Sequence, residues 1–156
     1  MSVEKLPVDV GSHAFLVARA AQWLKNTRKC AVVLSEHVGG YSETPDAIGW
    51  KCGGRHSILV ECKNSRADFF RDKKKIWRST LMEHDALGMQ RYYMFPKGLF
   101  LDYSMVNPKW GILELSGNRV KVIRDAFKHV RSDFSLKSEI SLLWSKLRKL
   151  QVPNVR

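Results

Sequence analysis

The chain has few cysteines, a shortage of acidic residues and no long hydrophobic run, and each shortage excludes a class of protein. Cys30, Cys52 and Cys62 are odd in number and widely spaced, which suits neither a disulfide framework nor a repeated zinc-knuckle spacing. No apolar run reaches the ~18 residues that cross a bilayer, and residues 1–10 are too polar for a signal-peptide core. We therefore expect a soluble cytoplasmic protein with reduced thiols.

The shortage of acids leaves a strong positive charge. The sequence has 27 Lys and Arg against 15 Asp and Glu, which gives a formal net charge of +12. This balance favours a polyanionic partner, with nucleic acid expected ahead of an anionic membrane surface. A chain of 156 residues, 44% of them hydrophobic, can bury one core but is short for two, so a single domain over 1–156 is expected.

Hydrophobic periodicity and turn residues predict an alternation of helices and strands. The predicted helices are Gly11 to about Arg28 with Ser12 as its N-cap, a helix from about Arg66 with Ser65 as its N-cap, and Leu136–Leu150. The predicted strands are Cys30–Leu34, which should be buried, Asp46–Lys51, Ser57–Lys63, Arg91–Phe95, Gly111–Leu115 and Arg119–Arg124. This order predicts an α/β domain with a mixed central β-sheet flanked by helices, its core at about 11–128 and its C-terminal helix at about 135–151. The first three strands should be antiparallel.

The last predicted helix carries an apolar stripe. Its members are Leu136, Ile140, Leu143, Leu147 and Leu150. A stripe of this kind usually faces the core of its own domain, which is what we expect here. The surplus of apolar residues around it leaves a homodimer open.

A hairpin brings two acidic residues together. If the turn is centred between Gly53 and Gly54, residues whose numbers sum to 107 face each other, which places Asp46 opposite Glu61. Lys63 lies two residues beyond Glu61, so its side chain should project from the same sheet face. The sequence thus predicts two carboxylates and an ammonium group at one end of the hairpin.

Two facing carboxylates need compensation for their like charge. A divalent cation supplies it, and hard oxygen ligands suit Mg²⁺ or Mn²⁺, which can polarise a phosphoryl oxygen and lower the pKa of a bound water. In the alternative interpretation, Asp46 begins a strand and Glu61 with Lys63 forms a surface ion pair, as in most acid-x-Lys triplets. The apolar run 58–60 favours the first interpretation, because a buried strand rarely ends in charges that face another acid.

These residues resemble a known nuclease signature. The run Thr44-Pro45-Asp46 followed by Glu61-Cys62-Lys63 is similar to the motif of the PD-(D/E)XK nuclease superfamily. The continuation through Asp68-Phe69 and Asp72-Lys73 resembles its MmcB-like branch of DNA repair endonucleases, and the likeness covers roughly residues 30–128.

The resemblance implies a restriction-endonuclease-like core and a Mg²⁺- or Mn²⁺-dependent DNA endonuclease, acting in repair, recombination or mobile-element DNA processing. It implies Asp46 and Glu61 as metal ligands and Lys63 as the catalytic lysine. In this branch a further acid often precedes the Asp46 position, and Glu36 is the candidate for it, with Glu43 as a rival. A non-catalytic or weakly active nucleic-acid-binding module on the same fold and an RNA nuclease are the alternatives.

A basic cluster follows the predicted catalytic strand. Its residues are Arg66, Arg71, Lys73, Lys74, Lys75 and Arg78. Cations at this position could hold phosphates close to the bond being cut, whereas a solvated helix face is the usual role of such a run. We predict that this cluster is the nucleic-acid-binding surface.

Overall fold

The computed structural model describes residues 12–35, 44–75, 78 and 83–150. The helices are α1 (His13–Asn26), α2 (Arg66–Lys73) and α3 (Asp133–Leu147). The strands are β1 (Val32–Ser35), β2 (Ala47–Lys51), β3 (His56–Cys62), β4 (Gln90–Pro96), β5 (Gly111–Ser116) and β6 (Arg119–Arg124). Of the helices in these ranges, none has the length and apolar character that crossing a membrane requires.

The strands form one six-stranded mixed sheet in chain order, β1 to β6. The first three strands pair antiparallel, as predicted, and β5 and β6 form a second antiparallel hairpin. Strands β3, β4 and β5 run parallel to each other. The connection from β3 to β4 is therefore a crossover that passes over one face of the sheet, and it contains α2. The predicted α/β class with a mixed sheet flanked by helices is confirmed.

The two faces of the sheet bury different side chains. Alternate residues of β3 divide between them: Val60 joins a cluster with Leu16 and Leu24 of α1, while Leu59 joins a cluster with Phe69 of α2. The α2 cluster is rich in aromatic rings, which meet mainly edge to face around Phe69. The chemistry described below lies on the α2 face, because Glu61 follows the same alternation as Leu59.

Both predicted N-caps are confirmed. The Ser12 side chain accepts a hydrogen bond from the Phe15 backbone N–H, and Ser65 accepts one from Asp68. These bonds satisfy amide groups that the first turn of a helix leaves without partners. The Ser65 cap begins α2 only three residues after β3 ends, so the helix starts directly beside the charged end of that strand.

Two predictions about burial are wrong. The first strand is an edge strand of partly exposed residues, with Val32 45% exposed, because β2 is its only partner among the described strands. The last helix spans Asp133–Leu147 and buries Ser135, Glu139 and Leu142. Of the predicted apolar stripe, Leu143 packs partly against the core, whereas Leu136, Ile140 and Leu147 are exposed. The inward face is set by polar anchors: Ser135 donates to the Ala86 carbonyl at 2.9 Å, and Glu139 pairs with Arg131 at 2.9 Å.

Candidate active site

The β2–β3 hairpin has the predicted register. Every paired residue from Ala47 with Val60 to Lys51 with His56 sums to 107. Continued by one residue, that register puts Asp46 level with Glu61. The turn takes positive φ at Cys52, Gly53 and Gly54, a conformation that glycine adopts without steric cost. The predicted approach of the two acids therefore follows from the turn.

Asp46 is held by both a strand and a helix. Its Oδ2 accepts a hydrogen bond from the Cys62 backbone N–H at 2.8 Å, which ties it to the end of β3. His13, in the first turn of α1, places its Nε2 3.3 Å from Asp46 Oδ1. His13 could not be selected from the sequence, since nothing in its local pattern indicates which way the first turn of α1 faces.

Glu61 is an acid in an unfavourable environment. Its side chain is 3% exposed, and its Oε1 accepts no hydrogen bond from the described residues, although the Arg78 guanidinium lies 3.4 Å away. Burial raises the pKa of Glu61 to about 8 against the lowering effect of Arg78, and the negative charge of Asp46 adds to the rise. A buried carboxylate oxygen without a hydrogen-bond donor is costly unless a cation or a proton occupies it.

Lys63 lies where the strand alternation predicts it. Its Nζ is 3.6 Å from Glu61 Oε2 and 3.4 Å from Asp72 Oδ1, with 12% of the side chain exposed. Burial by itself lowers the pKa of Lys63, but the charges of Glu61, Asp72 and Asp46 raise it further, so the net shift is upward. Lys63 is therefore a positive charge fixed among carboxylates.

Asp72 is the functional candidate that we did not select from the sequence. Its side chain is 1% exposed and accepts a hydrogen bond from the Tyr93 hydroxyl at 2.5 Å and one from Arg78 Nε at 2.9 Å. Burial raises its pKa, but Arg78, Tyr93 and Lys63 outweigh that effect and hold the pKa well below its usual range. A signal existed, because Asp72 lies three residues after Phe69 and so shares the inward face of α2.

The structure moves Arg78 out of the predicted nucleic-acid-binding cluster. Its side chain is only 5% exposed, it contacts both Asp72 and Glu61, and it stacks on Trp110 at 4.8 Å. An arginine in these contacts neutralises the carboxylates and has little surface left for a phosphate. The prediction erred because the positions of charges along the chain do not reveal which of them turn inward.

The other five members of the cluster are exposed. Lys73 Nζ donates to the Met105 carbonyl at 2.7 Å, and Lys75 pairs with Asp72 at 3.1 Å. Arg71 forms an exposed ion pair with Asp68, and such pairs add little stability. Arg71 and Lys75 line a small pocket of about 140 Å³ together with Lys63, Asp72 and His13. This pocket is the solvent opening of the site.

A larger cleft of about 490 Å³ lies on the other side of Arg78 and Tyr93. Its size does not make it the reactive centre, because Lys63 does not line it and neither Asp46 nor Glu61 does. Lys109 at its margin is paired with Glu83 at 2.7 Å. Lys63 and Asp72 line the smaller pocket instead, together with His13, the partner of Asp46. We therefore place the candidate site at the smaller pocket.

The residues present fit a divalent cation in part. Asp46 and Glu61 supply hard oxygen atoms, and Glu61 Oε1 is buried with no hydrogen bond among the described residues, as expected of an oxygen that binds a cation. Within the ranges that the structure describes, no group of three or more His, Cys, Asp or Glu side chains forms a ready metal cage. The predicted third ligand, Glu36, and its rival Glu43 lie outside the described residues.

Comparison with known proteins bears on the fold alone. No family model matches the sequence, and the curated proteins contain no match. Among solved structures, the chain is similar to the SPO1766 protein of unknown function from Silicibacter pomeroyi, with a TM-score of 0.63, 21% identity and 90% of each chain covered. At this identity the likeness supports a shared α/β architecture and transfers no activity.

Proposed function

We propose that the chain is a Mg²⁺- or Mn²⁺-dependent nuclease with a restriction-endonuclease-like core, and that it hydrolyses DNA phosphodiesters. One observation carries the proposal: Asp46 and Glu61 lie opposite each other at the end of a hairpin, and a buried oxygen of Glu61 accepts no hydrogen bond from the part of the chain that the structure describes. A purely structural carboxylate in that position would be expected to have acquired a donor. The positive charge of the chain favours a polyanionic substrate.

Each residue of the site has a separate role in the proposed reaction. Asp46 and Glu61 would hold the cation through their carboxylate oxygens. When bound, that cation polarises a phosphoryl oxygen and lowers the pKa of a bound water. Lys63 neutralises negative charge that develops on the phosphate as the bond to the leaving oxygen breaks.

Asp72 positions Lys63 without being a ligand in this scheme. The Lys63 ammonium lies between Glu61 and Asp72, at 3.6 and 3.4 Å. Asp72 is itself held by Tyr93 and Arg78, so its carboxylate is fixed before substrate arrives. A preorganised charge of this kind avoids reorganisation during the reaction.

One observation favours a nucleic-acid-binding module as the second candidate. Lys63 and Arg78 already lie within ion-pair distance of Glu61 and Asp72, so these two carboxylates are partly neutralised by the chain's own cations. A site balanced in this way would bind nucleic acid through its exposed basic residues and would not need a metal.

Cleavage assays separate the two candidates. Purified protein is incubated with plasmid, linear duplex, branched DNA and RNA in Mg²⁺, Mn²⁺ or EDTA. We expect metal-dependent cleavage of DNA that falls at least about 100-fold in Asp46→Asn and in Lys63→Ala, because each loses a charge used in the transition state.

Matched controls use exposed residues away from the site. Asp102→Asn and Lys97→Ala make the same chemical changes there and should keep full activity. Cleavage that survives in Asp46→Asn and Lys63→Ala would reject the proposed site. Binding without cleavage of any substrate would favour the binding module, and preferential cleavage of RNA would change the substrate class.

A further inference from the structure

Helix α3 buries a largely polar face, whereas a surface helix ordinarily buries its apolar face. Its inward face consists of Ser135, Glu139 and Leu142, while large apolar residues point to solvent. Ile140 is 55% exposed, Trp144 68% and Leu147 59%. An amphipathic helix normally buries its apolar stripe, so an exposed stripe of this size indicates a surface that another molecule covers.

The spacing of the exposed residues indicates the kind of partner. The exposed apolar residues Leu136, Ile140, Trp144 and Leu147 are separated by four, four and three residues. These intervals follow the 3.6-residue turn of a helix, so the four side chains form one continuous apolar stripe along a single side of α3. A second helix with the same pattern is therefore a natural complement to α3.

We propose that α3 is the interface of a homodimer, in which it packs antiparallel against α3 of a second copy. The helix spans Asp133–Leu147, so full antiparallel overlap places Ile140 on the two-fold axis. Leu136 of one copy then meets Trp144 of the other. Such an isologous contact closes on itself and buries the same stripe on both copies.

Charge also favours the antiparallel arrangement. Asp133 lies in the first turn of α3, and Lys146 and Arg148 lie at its other end. In full overlap, Asp133 of each copy approaches the basic end of the other. The helix dipoles oppose one another in this arrangement, which adds to the complementarity.

The available area is close to what a dimer needs. Besides this stripe, Phe134 at the start of the helix is 51% exposed. Together these side chains offer on the order of 600 Å² per copy, against roughly 800 Å² per partner in a standard interface. The neighbouring exposed side chains of Val130 and Phe127 extend the apolar surface further.

The test measures the molar mass of the full chain by sedimentation over a wide concentration range. We expect the wild type to have the mass of two chains and Ile140→Asp/Leu147→Asp that of one, with an unchanged circular dichroism spectrum because both side chains are exposed. Leu101→Asp is the matched control, since Leu101 is a fully exposed leucine outside α3, and it should remain dimeric. A monomeric wild type, or a dimer that persists in the double variant, would overturn the proposal.

Cross-linking tests the arrangement of the two helices. Ile140→Cys in a Cys52→Ser background removes the one exposed native thiol among the three cysteines and puts a thiol near the two-fold axis. Mild oxidation should link the two copies, whereas Leu101→Cys in the same background should stay unlinked. Failure of Ile140→Cys to link would overturn the antiparallel overlap.

Binding of a monomeric wild type to phosphatidylcholine–phosphatidylglycerol vesicles would assign the stripe to a membrane surface instead.

Discussion

At the scale of single residues, Glu61 couples the stability of the fold to pH. Burial raises its pKa from 4.5 to about 8, so between these values the folded protein keeps a proton that the unfolded chain releases. Its contribution to stability is therefore complete below pH 4.5 and is lost as pH rises through about 8. The same proton competes with any cation at this carboxylate, so cation binding should strengthen over the same interval.

Glu61→Gln should remove this dependence, because an amide does not titrate. In EDTA, the free energy of unfolding of the wild type should fall relative to Glu61→Gln by on the order of 2 kcal/mol between about pH 6 and about pH 8. Denaturant unfolding at several pH values measures the difference, in which the contributions of other titrating groups largely cancel. Parallel stability curves for the two proteins would contradict the raised pKa.

At the scale of elements, the contact between β5 and β4 depends on Gly111. A Cβ atom at this position would lie 2.2 Å from the ring of Tyr92 and 2.9 Å from the Ala126 backbone nitrogen. The ring cannot easily move aside, because Arg28 donates a hydrogen bond to its hydroxyl at 2.7 Å and Trp23 packs against it. The parallel pairing of these two strands therefore requires glycine here.

Gly111→Ala should cost about 2 kcal/mol of unfolding free energy or more, through overpacking between two strands. Gly117→Ala is the control: its φ is +58° and an added Cβ meets nothing within 4 Å, so it pays only the strain of the left-handed backbone, about 1 kcal/mol. Both costs follow from denaturant midpoints. An equal or smaller loss for Gly111→Ala would show that the Tyr92 ring yields more readily than its contacts indicate.

Local signals predicted the elements better than they predicted which faces are buried. The Gly53-Gly54 turn was enough to set the register that brings Asp46 to Glu61, because a hairpin is specified by its own few residues. The inward face of α3 and the burial of Asp72 and Arg78 depend on partners distant in sequence, such as Ala86 and Tyr93. Helical periodicity could not reveal that a polar anchor, and not the leucine stripe, would set the orientation of α3.

At the scale of the whole molecule, the net charge of +12 attracts polyanions such as DNA. Arg66, Arg71 and Lys74 remain exposed on the side of the proposed site, and their replacement by glutamine lowers the charge from +12 to +9. The matched triple Lys97→Gln, Arg119→Gln and Lys121→Gln makes the same change on exposed residues in and beside the β5–β6 hairpin. Comparing the DNA affinities of the two variants separates the effect of direct phosphate contacts near the proposed site from the effect of net charge.

We expect the first triple variant to bind duplex DNA more weakly and with a shallower dependence on salt. Each lost phosphate contact lowers the slope of log affinity against log salt by about 0.9, so three contacts would lower it by between about 2 and about 3. Fluorescence anisotropy across a salt series measures both variants, and the β5–β6 triple should change the slope far less. Equal changes in the slope for the two triple variants would mean that net charge governs binding. In that case Arg66, Arg71 and Lys74 would make no direct phosphate contacts.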